Sequence, residues 1–485
     1  MLKSLIRFIK KKKMNVVTRF APSPTGYLHL GGVRTALFNY LFAKHYNGKF
    51  LLRIEDTDDK RLLETSINSI LDGLKWLGIN HDGSLTIQSQ NLQRHHDVAN
   101  QLIKENKAYY CYCTQEELDN ERKKTGFGYK YSGKCKNRTD KPNTKPSIRL
   151  NSETFKEIKF NDLIFGEATY GRDNLDDFII IRSDGVPTYM FAVVVDDYDS
   201  NVTHVIRGND HHTNTAKQLM IYKLLNWGEP YYVHLPLINS DDGTKMSKRK
   251  HAVDILDYKN NGFLAPALLN YLMHLGWSPK KEILSMQEAI EVFGIGGLNS
   301  SPACFDMKKL KNINNHYMTE VGQQNPNELL KLLDENYFAN YHKTIPDNTR
   351  IAIANCLDEL VKRSSSLREI FEQGFFYFDN WRNQIPNKNK ISEFENQLKS
   401  KIENLEEFSL LVQQKFSKLD ESSWNSQSIE NLINEVAAEY KSIKKSDLMK
   451  FIRVKLTGVL NSFSIVKIIE TLGCKETLNR LSYTN

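Results

Sequence analysis

The stretch that decides the fold reads Asn15-Val16-Val17-Thr18-Arg19-Phe20, then Ala21-Pro22-Ser23-Pro24-Thr25-Gly26-Tyr27-Leu28, then His29-Leu30-Gly31-Gly32. The first six residues have the character of a strand, two prolines and a glycine impose a turn, and residues 31–44 continue as a helix. Phe50-Leu51-Leu52-Arg53-Ile54 follows as a second strand ending in acids. A second helix then carries Ile67, Ile70, Leu71 and Leu74 on one face before Gly78 closes it. Strand–helix–strand–helix at this spacing predicts a parallel sheet with crossover helices, hence an α/β fold. In such sheets ligands bind at the carboxyl ends of the strands.

Working outward, a chain of 485 residues is too long for one ordinary domain, and three or more are expected. Hydrophobic residues make up 40% and charged ones 26%, a globular balance. The densest apolar run, Met190-Phe191-Ala192-Val193-Val194-Val195, stops at Asp196, far short of the ~20 residues that span a bilayer. A formal charge of +8 permits a polyanionic partner without requiring one. Six cysteines are too sparse for a disulfide scaffold in so long a chain, which points to the reducing cytoplasm. Residues 1–13 are basic and end in four lysines, without the apolar core of a secretory signal. A transit-like peptide, a basic arm on nucleic acid and an extension ahead of a start at Met14 all fit. The last is the reading adopted, because the first patterned strand begins directly after Met14.

Between residues 104 and 145 helical periodicity fades into a mixture of tyrosines, lysines, cysteines and turn residues, the mark of an insertion. Phe178-Ile179-Ile180-Ile181 and Thr203-His204-Val205-Ile206 read as strands that return to complete the sheet. Beyond about residue 320 the pattern is helical. Ile429, Leu432, Ile433 and Val436, for example, follow the i, i+3, i+4, i+7 rule behind a capping Ser428.

His29-Leu30-Gly31-Gly32 falls at the first strand–helix junction. Glycines there let a phosphate approach the backbone, and amides at a helix start favour negative charge. A plain strand–helix turn with a surface histidine would look the same. Lys245-Met246-Ser247-Lys248-Arg249 places three cations on a loop after Ser240-Asp241-Asp242-Gly243, suited to charge developing on phosphates. A solvated basic loop is the plainer alternative.

The two segments together resemble the paired motifs of class I aminoacyl-tRNA synthetases, in the form used by bacterial glutamyl-tRNA synthetases. Residues 19–32 are similar to that family's first block throughout. Arg53-Ile54-Glu55-Asp56-Thr57-Asp58, Pro187-Thr188-Tyr189, Val195-Asp196-Asp197 and Val205-Ile206-Arg207-Gly208 also match, in family order. The likeness covers residues 14 to about 317 and thins afterwards. Arg453-Val454-Lys455-Leu456-Thr457-Gly458 and Leu472-Gly473 still look familiar there.

The resemblance implies a Rossmann-like class I catalytic domain with an inserted α+β domain, followed by an all-α C-terminal region. It divides the chain into a basic extension (1–13), a first catalytic half (14–100), an inserted acceptor-binding domain (101–188), a second catalytic half with the Lys-Met-Ser-Lys-Arg loop (189–250), a stem-contact domain (251–325) and an anticodon-binding region (326–485). It implies that His29, Gly31, Gly32, Lys248 and Arg249 bind ATP, with His29, Lys245 and Lys248 acting on the reacting phosphates. Arg19, Ser23, Glu55, Tyr189 and Arg207 would form a glutamate pocket. Two arginine forks suit two carboxylates, and Glu55 suits an ammonium group. Salt bridges from the arginines to Glu55, Asp56 or Asp58 are the structural alternative.

The implied reaction consumes Mg-ATP, forms glutamyl-adenylate and passes the acyl group to the 2′-hydroxyl of the terminal adenosine of tRNA(Glu). The family usually needs bound tRNA for the first step. Some members charge tRNA(Gln), and a silent tRNA-binding paralogue is the rival from another class. The family expectation is a monomer. Cys111, Cys113 and Cys135 resemble a zinc knuckle present in part of the family, but the fourth ligand position holds Asn137, so a degenerate site without zinc is expected, with three thiolates and a water, or a remote His, as the alternatives. Asn209 and Asn312 stand where the family commonly has Glu and an aromatic.

Overall fold

The computed structural model describes residues 15–24, 27–57, 63–125, 129–138, 140, 142–240, 243–244, 254–402 and 404–482. The basic extension, Asp58 and the whole of Lys245-Met246-Ser247-Lys248-Arg249 lie outside the described residues. The chain divides into two compact units, Met1–Asp257 with Leu268–Met307, and Tyr258–Ala267 with Lys308–Asn485. The division therefore falls inside the 251–325 stretch assigned to stem contact.

In the first unit β1 (Val17–Phe20) is buried along its whole length. After the turn, α1 (Leu30–His45) returns the chain to β2 (Lys49–Ile54), which lies parallel to β1 with Val17 opposite Lys49 and Phe20 opposite Leu52. Next, α2 (Leu63–Trp76) ends as its sequence predicts: Ile79 N–H donates to Leu74 O and Gly78 N–H to Lys75 O, with Gly78 at φ 69°. Only a residue without Cβ takes that left-handed position cheaply. β3 (Thr86–Ile87) then extends the parallel sheet beyond β2.

The chain continues through α3 (Leu92–Lys104), β4 (Ala108–Cys111), α4 (Gln115–Thr125), β5 (Ser147–Leu150), β6 (Glu157–Asp162), β7 (Gly166–Gly171), β8 (Ile179–Ile181), α5 (Tyr189–Asp199), β9 (His204–Gly208), α6 (His212–Leu225) and β10 (Tyr231–Leu235). β9 and β10 are parallel over five residue pairs, and β6 joins the far side of β10, giving the order β7-β6-β10-β9. Thr203 stitches this sheet to the first: its N–H donates to Val17 O and its hydroxyl accepts from Val17 N, both at 2.9 Å.

Two expectations change here. Residues 178–181 were expected in this sheet, yet β8 pairs antiparallel with β5 in a separate sheet of order β4-β5-β8. An apolar tripeptide specifies burial, not a partner, so its sequence could not choose between the two sheets. Conversely, the β6–β7 hairpin, inside the 101–188 stretch, lies in the sheet of β9 and β10. Its Glu157-Ile158-Lys159-Phe160-Asn161-Asp162 alternates exposed and buried at every step, the period-two signal of a strand with one face in the core. The dense apolar run at 190–195 is neither strand nor membrane span. It is the buried body of α5, with Phe191, Val193, Val194 and Val195 in the core beside Val205, Leu219 and Tyr222.

The described part of the second unit is built of successive helices, among them Pro326–Tyr341, Leu405–Phe416, Ser426–Glu439, Lys445–Thr457 and Ile465–Leu481. Phe376, Phe416, Phe451 and Phe463 are among its largest fully buried side chains. The Ser426–Glu439 helix begins one turn earlier than expected. Asn425 is its cap, accepting from Ser428 N–H, so Ser428 lies inside the helix. Both residue types cap well, and the first available one took the position. Gly458 (φ 70°) ends the preceding helix and Gly473 (φ 76°) interrupts the last one, the physical use of two glycines in the C-terminal matches. No helix among the described residues is long and apolar enough to cross a membrane.

Candidate active site

His29 caps α1. Its backbone is extended (φ −94°, ψ 164°), its carbonyl accepts from Val33 N–H, and its Nδ1 accepts from Gly32 N–H at 3.3 Å. An accepting Nδ1 puts the ring proton of the neutral imidazole on Nε2, a donor suited to a phosphate oxygen. A Cβ at Gly31 would lie 3.1 Å from the His29 ring and press it out of place. The first turn of α1 has no acidic residue, so nothing offsets its partial positive charge.

At the carboxyl ends of β1 and β2 lies a buried ion network. Arg19 Nε donates to both oxygens of Asp197, at 3.0 and 3.3 Å. Arg53 Nη2 reaches Asp197 at 2.7 Å and Glu55 at 3.1 Å. Asp196 joins the network through Arg53 Nε at 3.9 Å and is also held by His95 Nε2 at 2.9 Å, Gln88 at 2.8 Å and Asn91 at 3.1 Å. Burial opposes the Asp197 charge, but Arg19 and Arg53 outweigh it and hold the carboxyl below its ordinary value. For Glu55 burial wins, and its carboxyl rises in spite of Arg53 and Arg19. Arg19 is only 4% exposed. Its two terminal nitrogens have no hydrogen-bond partner among the described residues, because Asp197 takes Nε alone. These nitrogens are not sealed from solvent, so the fork faces an opening in which a carboxylate can pair with it.

Arg207, near the end of β9, has a different setting. Nε donates to His234 Nε2 at 3.1 Å, and Nη2 to Thr215 Oγ1 at 2.8 Å and His211 O at 3.3 Å. No carboxylate pairs with it among the described residues, and its Nη1 has no protein acceptor there. Tyr189, at the start of α5, bonds His211 Nδ1 at 3.1 Å, and burial raises its phenol. Tyr189 lies within electrostatic reach of Arg207, Glu55 and Arg19.

Of the residues expected in a glutamate pocket, Arg19, Glu55, Tyr189 and Arg207 are thus brought together. Ser23 lies exposed in the turn after β1, and no described contact links it to them. The alternative of arginine bridges to Glu55, Asp56 or Asp58 takes another form. Arg19 pairs with Asp197, 178 residues away, while Asp56 accepts from Ser89. Arg53, Asp197 and His211 were given no role from sequence. A charged residue inside an apolar strand, and an Asp pair closing an apolar helix, were the available signals. Two open guanidinium edges, a carboxylate and a phenol in one buried place can hold a small zwitterion with a second acidic group.

Cys111, Cys113 and Cys135 also converge, their sulfurs within 4.8 Å of one another. Asn137 is exposed. Among the described residues the Tyr131 hydroxyl also meets the cluster, 3.4 Å from Cys111 Sγ and 3.3 Å from Cys113 Sγ and accepting from Cys135 N–H at 2.9 Å, while Arg138 Nη1 lies 4.0 Å from Cys135 Sγ. Burial pushes the Cys113 thiol up to about 12. It works the same way on Cys135, but bonds from Tyr131 and Tyr112 N–H bring that thiol down to about 7. Three sulfurs and a protonated phenol fall short of the four thiolate or imidazole ligands of a closed zinc site.

Residues 15–312 match the family model described as tRNA synthetases class I (E and Q), catalytic domain, and residues 328–484 match the anticodon binding domain model. The chain is 41% identical over 479 residues to glutamate–tRNA ligase 1 of Ehrlichia canis, covering 97% of this chain and 98% of that one. It is 40% identical to glutamate–tRNA ligase 1 of Wolbachia pipientis wMel, covering 96% and 99%. Among solved structures it resembles a glutamate tRNA ligase from Elizabethkingia meningosepticum in complex with its amino acid (TM-score 0.78, 28% identity, 96% and 98% covered). The glutamate–tRNA synthetase of Elizabethkingia anophelis is similar to the same degree (TM-score 0.79, 29% identity, 96% and 99% covered).

Proposed function

The chain belongs to the glutamate–tRNA ligases of the class I aminoacyl-tRNA synthetase family, and on that premise we propose that Arg19 and Arg207 grip the two carboxylates of glutamate while Glu55 faces its ammonium group. The activity joins glutamate to tRNA at the expense of ATP, generally with magnesium. One observation carries the residue assignment: the Arg19 fork, on a side chain only 4% exposed, is aimed by Asp197 and unmatched by any described protein acceptor. A ligand carboxylate completes it in two-pronged geometry.

In the first step the glutamate α-carboxylate attacks the α-phosphate of ATP and pyrophosphate leaves. Held between Arg19, Arg207, Glu55 and Tyr189, the amino acid has lost most of its rotational freedom before it reacts. His29 Nε2 and the Gly31 amide suit the phosphates at the start of α1, with the His29 ring oriented by Gly32 N–H. The sequence assigns Lys245, Lys248 and Arg249 to the charge that builds on those phosphates as the bond breaks. In the second step a ribose hydroxyl of the terminal adenosine of tRNA attacks the acyl carbon of glutamyl-adenylate, the acyl–phosphate bond breaks and AMP leaves, with no covalent bond to the enzyme at any stage.

We also infer that tRNA(Glu) is the substrate, read by the helical region matched to the anticodon binding model, and that a monomer does this in the cytoplasm without structural zinc. Charging assays with separate purified tRNA(Glu) and tRNA(Gln) test the choice of tRNA. Equal charging of tRNA(Gln) would make the enzyme a non-discriminating one and overturn the narrower reading.

A further inference from the structure

His234 and Asp162 take no part in the chemistry above, yet both are sealed from solvent at the edge of the glutamate pocket. Asp162 is the last residue of β6, His234 the fourth of the five in β10, and Arg207 the fourth of the five in β9. These strands are consecutive neighbours in the sheet, with His234 directly opposite Arg207. The three side chains form a line across the sheet: Asp162 Oδ2 to His234 Nδ1 at 2.7 Å, then His234 Nε2 to Arg207 Nε at 3.1 Å.

The protons in this line have one arrangement. A carboxylate only accepts, so His234 Nδ1 carries hydrogen. A guanidinium only donates, so His234 Nε2 presents its lone pair. A neutral imidazole in this one tautomer satisfies both, and burial together with the Arg207 charge, set against Asp162, lowers its pKa to about 4. Thr215 supplies the second fixed point, accepting from Arg207 Nη2 at 2.8 Å. Two acceptors in different directions fix the plane of a planar group.

We propose that His234, Thr215 and, through His234, Asp162 are positioning residues for glutamate, locking the Arg207 guanidinium so that its remaining edge meets a substrate carboxylate. This rests on the reading that Arg207 binds glutamate. Asp162 also accepts the backbone N–H groups of Ile164 and Phe165, so its removal would disturb the hairpin turn. The test therefore uses His234 and Thr215.

Glutamate and ATP KM values are measured by ATP–pyrophosphate exchange with tRNA present, alongside thermal melting. His234→Leu removes the acceptor, and the glutamate KM rises about tenfold or more, the worth of one hydrogen bond to a charged group. The ATP KM stays within about twofold. His234→Gln brings an amide oxygen near the Nε2 position and recovers most of the loss. Thr215→Val, close in shape, gives the same glutamate-selective rise and decides the matter should His234→Leu fail to fold. An unchanged glutamate KM in both His234→Leu and Thr215→Val overturns the proposal, while a rise in Arg207→Gln keeps the pocket. An unchanged KM in Arg207→Gln sinks the pocket reading and the proposal with it. Equal damage to both substrates, with no recovery in His234→Gln, reduces these residues to packing and also overturns it.

Discussion

Replacing Arg19 by Gln separates substrate recognition from folding. Asp197 is the only described carboxylate on Arg19, and it keeps Arg53 Nη2 at 2.7 Å when Arg19 is gone. The fold therefore loses the worth of one charge-assisted bond, about 1.5–3 kcal/mol, rather than the ~3–5 kcal/mol of a buried charge left wholly unpaired. The ligand loses both terminal nitrogens at once. At about 1.5–3 kcal/mol for each charged hydrogen bond, partly replaced by the glutamine amide, the net loss is ~3 kcal/mol, or roughly 10²-fold in glutamate KM. Arg53→Met is the control, because it strips Glu55 and one side of Asp197 together. It should cost stability first, with a lowered melting temperature and losses shared between ATP and glutamate. The assay is ATP–pyrophosphate exchange in the presence of tRNA, with glutamate and ATP titrated separately and circular dichroism melts in parallel. If Arg19→Gln leaves the glutamate KM within about threefold of wild type, the unpaired fork is not a ligand site. If it raises both KM values equally and melts like Arg53→Met, Arg19 is part of the ion network and no more.

Lys248→Ala should slow adenylate formation by roughly 10²–10³ with tRNA affinity nearly unchanged, since the lysine is assigned to charge that exists only in the transition state. Single-turnover activation rates near wild type would remove Lys248 from the chemistry. His234 is held neutral in the fold at a pKa of about 4, whereas the unfolded chain takes up its proton near pH 6.5. Its contribution is therefore present above about pH 6.5 and lost as pH falls toward 4, with a slope of up to ~1.4 kcal/mol per pH unit. His234→Gln should flatten the loss of unfolding free energy between pH 7 and pH 5 in urea titrations, and equal slopes in the two proteins would contradict the buried neutral imidazole. Protein purified without added metal should carry well under one zinc per chain by elemental analysis and keep its charging activity in chelator. One tightly held zinc, lost in Cys113→Ser and in Tyr131→Phe, would instead make the Tyr131 hydroxyl the missing ligand.

Local features of this protein were legible from its residues. The strand of β1, the helix of α1 and the glycine closing α2 depend on neighbours within a few positions, so their pattern is written in order along the chain. The roles given to His29, Glu55, Tyr189 and Arg207 came from the family resemblance of the motifs around them, since residue type alone left a plain turn or a salt bridge open. The Lys-Met-Ser-Lys-Arg segment was read in the same way, since its charges alone left a solvated basic loop open.

What tertiary structure decided is partnership. Residues 178–181 are as apolar as a central strand and still pair with β5, while the β6–β7 hairpin crosses from the stretch read as an insertion into the sheet of β9 and β10. Arg19 finds Asp197 at a separation of 178 residues, and His234 finds Asp162 at 72. Hydrophobic pattern and residue type state how much a side chain must be buried or paired, but not with which distant group. That choice is made only when the whole sheet closes and each buried charge must end beside an opposite one or a matching hydrogen bond.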